Sequence, residues 1–195
     1  MKTITQTLLA ICIGLFPAIC GAQATVMERG NSGVTFSAGA LTIDEEQSLV
    51  VGVGLCIKTT FDIGVTHASI GGNSSSTISS GVHLRGSAVD LAAIFGYTEF
   101  GRGSNAEYAG AQLSVYPLRD FRQSLILSVR AAHVFGGSDI SDGNLWGLGA
   151  DVKLLSGQSA QLYGGLDHES LNQEYADTQS STAVTVTVVI PGRKK

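Results

Sequence analysis

The chain has 195 residues, a formal net charge of −4 and only 14% charged side chains. Its mean hydropathy of +0.23 is high for a secreted soluble domain, and the acidic balance excludes nucleic acid as a partner. Beyond the N-terminus no segment is apolar over the ~20 residues that a spanning helix needs, so membrane entry is open to it only as strands.

Residues 1–24 read as a signal peptide. Lys2 supplies the positive start, Leu8 to Ile19 the apolar stretch, and Ala22-Gln23-Ala24 the small-x-small cleavage pattern, so Thr25 begins the mature protein. Ile19 before Cys20 is too bulky for a lipoprotein signal. Cys12 and Cys20 leave with the leader, which makes Cys56 a lone buried thiol with no disulfide partner.

After the leader a two-residue rhythm runs to the C-terminus. Leu125, Leu127, Val129 and Ala131 alternate with Ser128, Arg130 and Ala132, and Val184, Val186, Val188 and Ile190 alternate with Thr185 and Thr187. Such alternation puts successive side chains on opposite faces of a sheet. Ten strands are expected, at 33–43, 47–57, 59–70, 76–86, 88–99, 106–117, 123–136, 144–155, 159–170 and 181–190. Eight, with the first two segments merged, is the alternative. Short connections near Lys58, Gly86-Ser87, 118–122 and 156–158 alternate with longer ones at 71–75, 101–105, 137–143 and 171–180. That asymmetry suits tight periplasmic turns and longer external loops.

The polar face carries Asp62, His83, Arg85, Asp90, Arg130, Asp151, Lys153, Asp167 and Glu169, interspersed with Gly39, Gly52, Gly54, Gly64, Gly81, Gly96, Gly147, Gly149 and Gly165. Glycine weakens an exposed strand but leaves room inside a narrow barrel for long charged side chains. Arg85, Arg130 and Lys153 are then expected to pair with Asp62, Asp90, Asp151 and Asp167, because isolated buried charges are costly. Tyr97, Phe100, Tyr108, Phe135 and Trp146 near one set of strand ends, and Phe61, Tyr116 and Phe121 near the other, suggest two interfacial girdles. The alternation of the sixth strand, however, turns Tyr108 and Tyr116 inward.

This pattern resembles the small monomeric outer-membrane β-barrel proteins of Gram-negative bacteria over essentially all of Thr25 to Ile190. The resemblance implies an all-β, antiparallel up-and-down transmembrane β-barrel, with outer-membrane lipid and lipopolysaccharide around it and the barrel-insertion machinery as a partner during biogenesis. Such proteins usually end on an aromatic residue. Here the last strand ends Val188-Val189-Ile190 and a basic tail, Pro191 to Lys195, follows.

Charges segregate along the expected axis. Asp44, Glu45, Glu46, Glu99, Glu107, Asp139, Asp142, Glu174 and Asp177 lie toward the external rim, opposed mainly by Arg102. Lys58, Arg119, Arg122, Arg193, Lys194 and Lys195 lie toward the periplasm with Asp120. The run from Asp139 to Asn144 lacks the spacing of a calcium loop. Arg130-Ala131-Ala132-His133 faintly resembles the catalytic strand of outer-membrane lipid A deacylases, but Phe135 stands where that family has its serine nucleophile. His168-Glu169-Ser170 has the residue types of a triad, yet strand neighbours point to opposite faces. No catalytic residue, metal or cofactor is expected. The leading functional expectation is a structural or envelope-interaction barrel. A narrow solute or ion channel, a lipid-modifying enzyme and a soluble secreted ligand-binding barrel are the alternatives.

Overall fold

A computed structural model describes residues 25–43, 46–70, 73–100, 104–118, 124–137, 140–173 and 178–192. The leader lies outside the described residues, as do Asp44, Glu45, Arg102, Arg119, Asp120, Phe121, Arg122, Asp139, Glu174, Asp177 and the last three residues.

Ten strands form: β1 (Gly33–Ile43), β2 (Glu46–Ile57), β3 (Phe61–Ile70), β4 (Asn73–Arg85), β5 (Val89–Phe100), β6 (Asn105–Val115), β7 (Leu125–Gly136), β8 (Gly143–Ser156), β9 (Gln161–Gln173) and β10 (Gln179–Pro191). Each pairs antiparallel with its sequence neighbours. β1 closes the sheet on β10 through a continuous register from Gly33↔Pro191 to Ile43↔Ser181. Closure leaves no edge strand, the condition for a sheet to sit in hydrocarbon without unpaired backbone groups. Pro191, assigned to the tail from sequence, is the last residue of β10, and Gly192 donates its N–H to the Ser32 carbonyl at 2.7 Å.

The alternation sorts as its chemistry requires. Val51, Val53 and Leu55 of β2, Leu127 and Val129 of β7, and Val184 and Val186 of β10 are exposed on the outer face. Their β-branched and aliphatic side chains suit both a pleated strand and lipid. Between Lys153 and Leu155 the β8–β9 register slips, a bulge that turns both Leu154 and Leu155 outward, 54% and 66% exposed. Val129 stands mid-strand on the lipid side, one residue from the inward Arg130. Val129→Arg is expected to destabilise the barrel by about 2–4 kcal/mol, the depth-dependent cost of a cation facing lipid. Urea unfolding in lipid vesicles would measure it, and an unchanged midpoint would contradict the outward assignment.

Two expectations change. The connections are not asymmetric, because β4 and β9 continue into segments read as loops, while the longest gap, 116–124, lies at the turn end. Glycine-poor, Ser-rich stretches such as Asn73 to Ser76 pair readily once a neighbouring strand is in place, which a turn-residue count does not capture. The aromatic girdles are also thinner than expected. Phe61, Tyr97, Phe135 and Trp146 face out, whereas Phe100, Tyr108 and Tyr116 are buried inside.

The interior is layered rather than uniformly polar. At the loop end Leu41, Ile43, Phe100, Val134, Ile140, Leu145 and Leu171 form an apolar cluster with Tyr108. At the end that carries both termini Val26, Met27, Cys56, Tyr116, Ile126, Tyr163 and Val189 form a second. The charged side chains lie between and beside these layers.

Candidate functional site

Two charge clusters occupy the lumen, each built across three adjacent strands over a glycine in the middle one. In the first, the register sets Arg130 of β7 beside Gly147 of β8, and Gly147 beside Glu169 of β9. The next row is Ser128, Gly149 and Asp167. A Cβ at Gly147 would lie 3.0 Å from Arg130 Cγ and 3.2 Å from Glu169 Cγ, and one at Gly149 would meet Asp167 Oδ1 at 2.5 Å. The missing side chains are thus the passage through which Arg130 reaches β9. Its Nη1 donates to Glu169 Oε1 at 2.9 Å and its Nη2 to Asp167 Oδ1 at 2.6 Å. All three side chains are within a few per cent of full burial.

Asp151 extends this cluster toward the turn end. It faces Gly165, where a Cβ would come within 2.7 Å of Asp151 Oδ1 and 2.5 Å of Thr185 Oγ1. Three carboxyl groups therefore gather around one guanidinium. Glu169 Oε2 and Arg130 Nε have no protein partner among the described residues.

The second cluster sits on β3, β4 and β5. His83 bonds Asp62 Oδ2 through Nε2 at 3.1 Å and Asp90 Oδ2 through Nδ1 at 3.0 Å. Gly81 again supplies the gap, a Cβ there lying 2.8 Å from both Asp62 Oδ1 and His83 Nε2. An imidazole facing two carboxylates satisfies both only when each ring nitrogen carries a proton. Thr77 and Thr98 exchange a buried hydroxyl bond at 2.9 Å further toward the loop end.

The contacts add to the expected pairing. His83 is a partner of both Asp62 and Asp90, and Arg85 donates to the Thr25 carbonyl at 2.8 Å and stacks 4.9 Å above the Tyr116 ring. Lys153 lies over Tyr163 at 5.5 Å. Near the barrel mouth long basic side chains find aromatic faces and backbone oxygens, groups that a search for opposite charges overlooks. The N-terminal segment was likewise read only as the start of the barrel. Its signal was present, however, in the apolar pair Val26-Met27 directly after the leader.

The remaining histidines lie on the outer face toward the loop end. His67 bonds Ser76 Oγ at 3.1 Å, His133 bonds Asn144 Oδ1 at 3.1 Å, and His168 bonds Thr182 Oγ1 at 3.0 Å. His133 also meets the Phe135 ring edge-on, and His168 that of Trp146. His168 and Glu169 stand on opposite sides of the wall, so no triad assembles there. Among the described residues no group of three His, Cys, Asp or Glu could hold a metal ion.

No family model matches the sequence, and no characterised protein does either. Solved structures do match in shape. A KdgM porin superposes with a TM-score of 0.52 at 9% identity, over 78% of this chain and 97% of the porin. The same porin in complex with disordered oligogalacturonate gives identical figures. The N-terminal β-barrel domain of Pseudomonas aeruginosa OprF matches at a TM-score of 0.39 and 10% identity, over 84% of this chain and all of that one. Identities this low carry the fold alone. Closed ten-stranded topology, a lipid-compatible outer face and this shape together make the chain a transmembrane β-barrel of the outer-membrane type.

Proposed function

We propose that the barrel is a narrow, gated path for small cations or cationic solutes. The observation that carries this reading is the excess of carboxyl groups in the lumen. Asp62, Asp90, Asp151, Asp167 and Glu169 face Arg85, Arg130, Lys153 and His83. Buried ion pairs rarely stabilise a protein more than well-packed apolar side chains of similar volume would. A barrel selected only for stability gains nothing from this layer, whereas a path for ions needs charge that substitutes for water. The unpartnered Glu169 Oε2 and Asp90 Oδ1 are acceptors of the kind a passing cation would use. The likeness to a porin supports the reading. The acidic lumen sets it apart from a path for the oligogalacturonate held by that porin, since like charges repel.

A second reading, a permanently closed barrel with a structural envelope role, is favoured by the two apolar clusters that cap the lumen. Apolar constrictions also serve as gates that dewet and rewet, so they fit either reading. Planar-bilayer recording in asymmetric potassium chloride separates the two. Discrete openings whose reversal potential favours potassium support the channel, and Asp167→Asn with Glu169→Gln should then weaken that preference. A protein that is folded and inserted but electrically silent at all voltages would leave the structural reading in place.

A further inference from the structure

The residues before β1 do not belong to the wall. Thr25, Val26 and Met27 are 2%, 0% and 1% exposed and lie inside the terminal end of the barrel. Side chains of the wall hold them by their backbone. Arg85 Nη2 and the Tyr116 hydroxyl donate to the Thr25 carbonyl at 2.8 and 3.2 Å, and the Tyr163 hydroxyl donates to that of Val26 at 3.1 Å. Val26 and Met27 fill the apolar seat that includes Cys56, and Met27 Cε lies 3.0 Å from where a Cβ on Gly33, the register partner of Cys56, would stand.

The approach to this seat is itself a built feature. The chain turns at Glu28–Asn31 with Gly30 at φ 81°, a left-handed conformation that glycine adopts without strain. The Gly30 N–H then donates to Thr59 Oγ1 at 2.9 Å, and Ser32 Oγ accepts from the Lys58 N–H at 2.9 Å. Lys58 and Thr59 form the β2–β3 turn with φ of 52° and 53°, unusual for side chains other than glycine. The strained turn and the incoming segment thus brace one another.

We propose that Thr25–Met27 are a displaceable plug that seals the periplasmic mouth of the lumen. The segment belongs to none of the ten strands and side chains of the wall hold its carbonyl groups, so it can leave without breaking the sheet. With cleavage at the expected point before Thr25, the plug would be the N-terminal end of the mature chain. The plug would regulate the ion path proposed above, and its functional meaning rests on that reading.

Cys56 reports on the plug independently of conduction. Its thiol is fully buried beneath Val26 and Met27, so reaction with a small water-soluble maleimide requires the seat to open. Val26→Asp with Met27→Asp, in the full exported chain, puts two charges where only apolar groups fit. In the folded, detergent-solubilised protein Cys56 should then react faster by on the order of ten-fold or more, because exposure no longer waits on rare local opening. Mass spectrometry identifies the labelled residue, and the shift between boiled and unboiled gel samples verifies folding. Met27→Leu should label at the parental rate. Should the charged variant fail to fold, Val26→Gly with Met27→Gly empties the same seat and is judged by the same rate.

Equal labelling rates in the folded parent and the folded plug variant would overturn the plug. Faster labelling with no conductance in either protein would leave the plug and overturn the ion path. Openings of the same size and frequency in both, with unchanged labelling, would leave the path and overturn the plug.

Discussion

Replacing Arg130 with leucine is expected to lower the stability of the folded barrel by about 3–5 kcal/mol, the usual cost of removing one member of a buried ionic group. The substitution leaves a short, branched apolar side chain beside Gly147 and takes away the two donors that hold Glu169 Oε1 and Asp167 Oδ1. What remains is three carboxyl groups, those of Asp151, Asp167 and Glu169, between the two apolar clusters. The loss therefore measures the unpaired carboxylates more than the lost bonds. Two further variants separate these contributions. Arg130→Lys keeps the charge but cannot present a planar fork to two acceptors on β9, so it should fall between wild type and leucine. Arg130→Met combined with Asp167→Asn and Glu169→Gln removes both carboxylates that Arg130 binds, leaves only Asp151, and should recover most of the loss. The midpoint of the heat- or urea-induced shift on unboiled gels reads all three. A leucine variant as stable as the parent would mean that Arg130 is solvated, and the lumen would then hold water at that depth.

Much of this geometry is legible in the sequence. Alternation set the ten strands close to their observed ends, because period two is imposed by the pleat wherever one face meets lipid. Glycines at 81, 147 and 149 pointed to space for long charged side chains, and each proves to be the gap beneath a bridging residue. What was not legible has physical causes. Which charges meet depends on register across three strands, and a single chain carries no register signal until its neighbours are placed. Hence the bridging of Asp62 and Asp90 by His83 is not legible in the sequence. The apolar layers were hidden for a different reason. In β1 the inward Leu41 and Ile43 are larger and more apolar than the outward Ala40 and Thr42, so the local alternation by itself points the wrong face to lipid. The connections at 71–75 and 171–180 read as longer than they are because serine and asparagine at strand ends are ambiguous between turn and strand.

The orientation of β6 is where these ambiguities can be tested most directly. Tyr108 faces Gly96 across the β5–β6 ladder, its ring lying where a Cβ of residue 96 would be, and it is 3% exposed within the loop-end apolar cluster. An aromatic ring folded over a cross-strand glycine shields backbone that glycine leaves bare, and it fills the lumen where two small-residue faces meet. Tyr108→Ala should therefore cost about 3–5 kcal/mol, in the range of other buried aromatic truncations. Gly96→Val should cost about 1–3 kcal/mol by forcing the ring from its place. The decisive quantity is their combination. With the ring gone, valine at 96 enters the space that it left, so the double variant should be more stable than the sum of the single losses implies, by about 0.5–3 kcal/mol. Unfolding midpoints of the four proteins in one detergent give this coupling. Additive losses would place the Tyr108 ring away from Gly96, on the lipid side with Tyr97 and Trp146, and would restore it to the interfacial girdle. A clear coupling instead ties the inward turn of β6 to the same apolar layer that closes the loop end of the lumen. The closure of that end would then be built in part from a tyrosine that a single glycine makes room for.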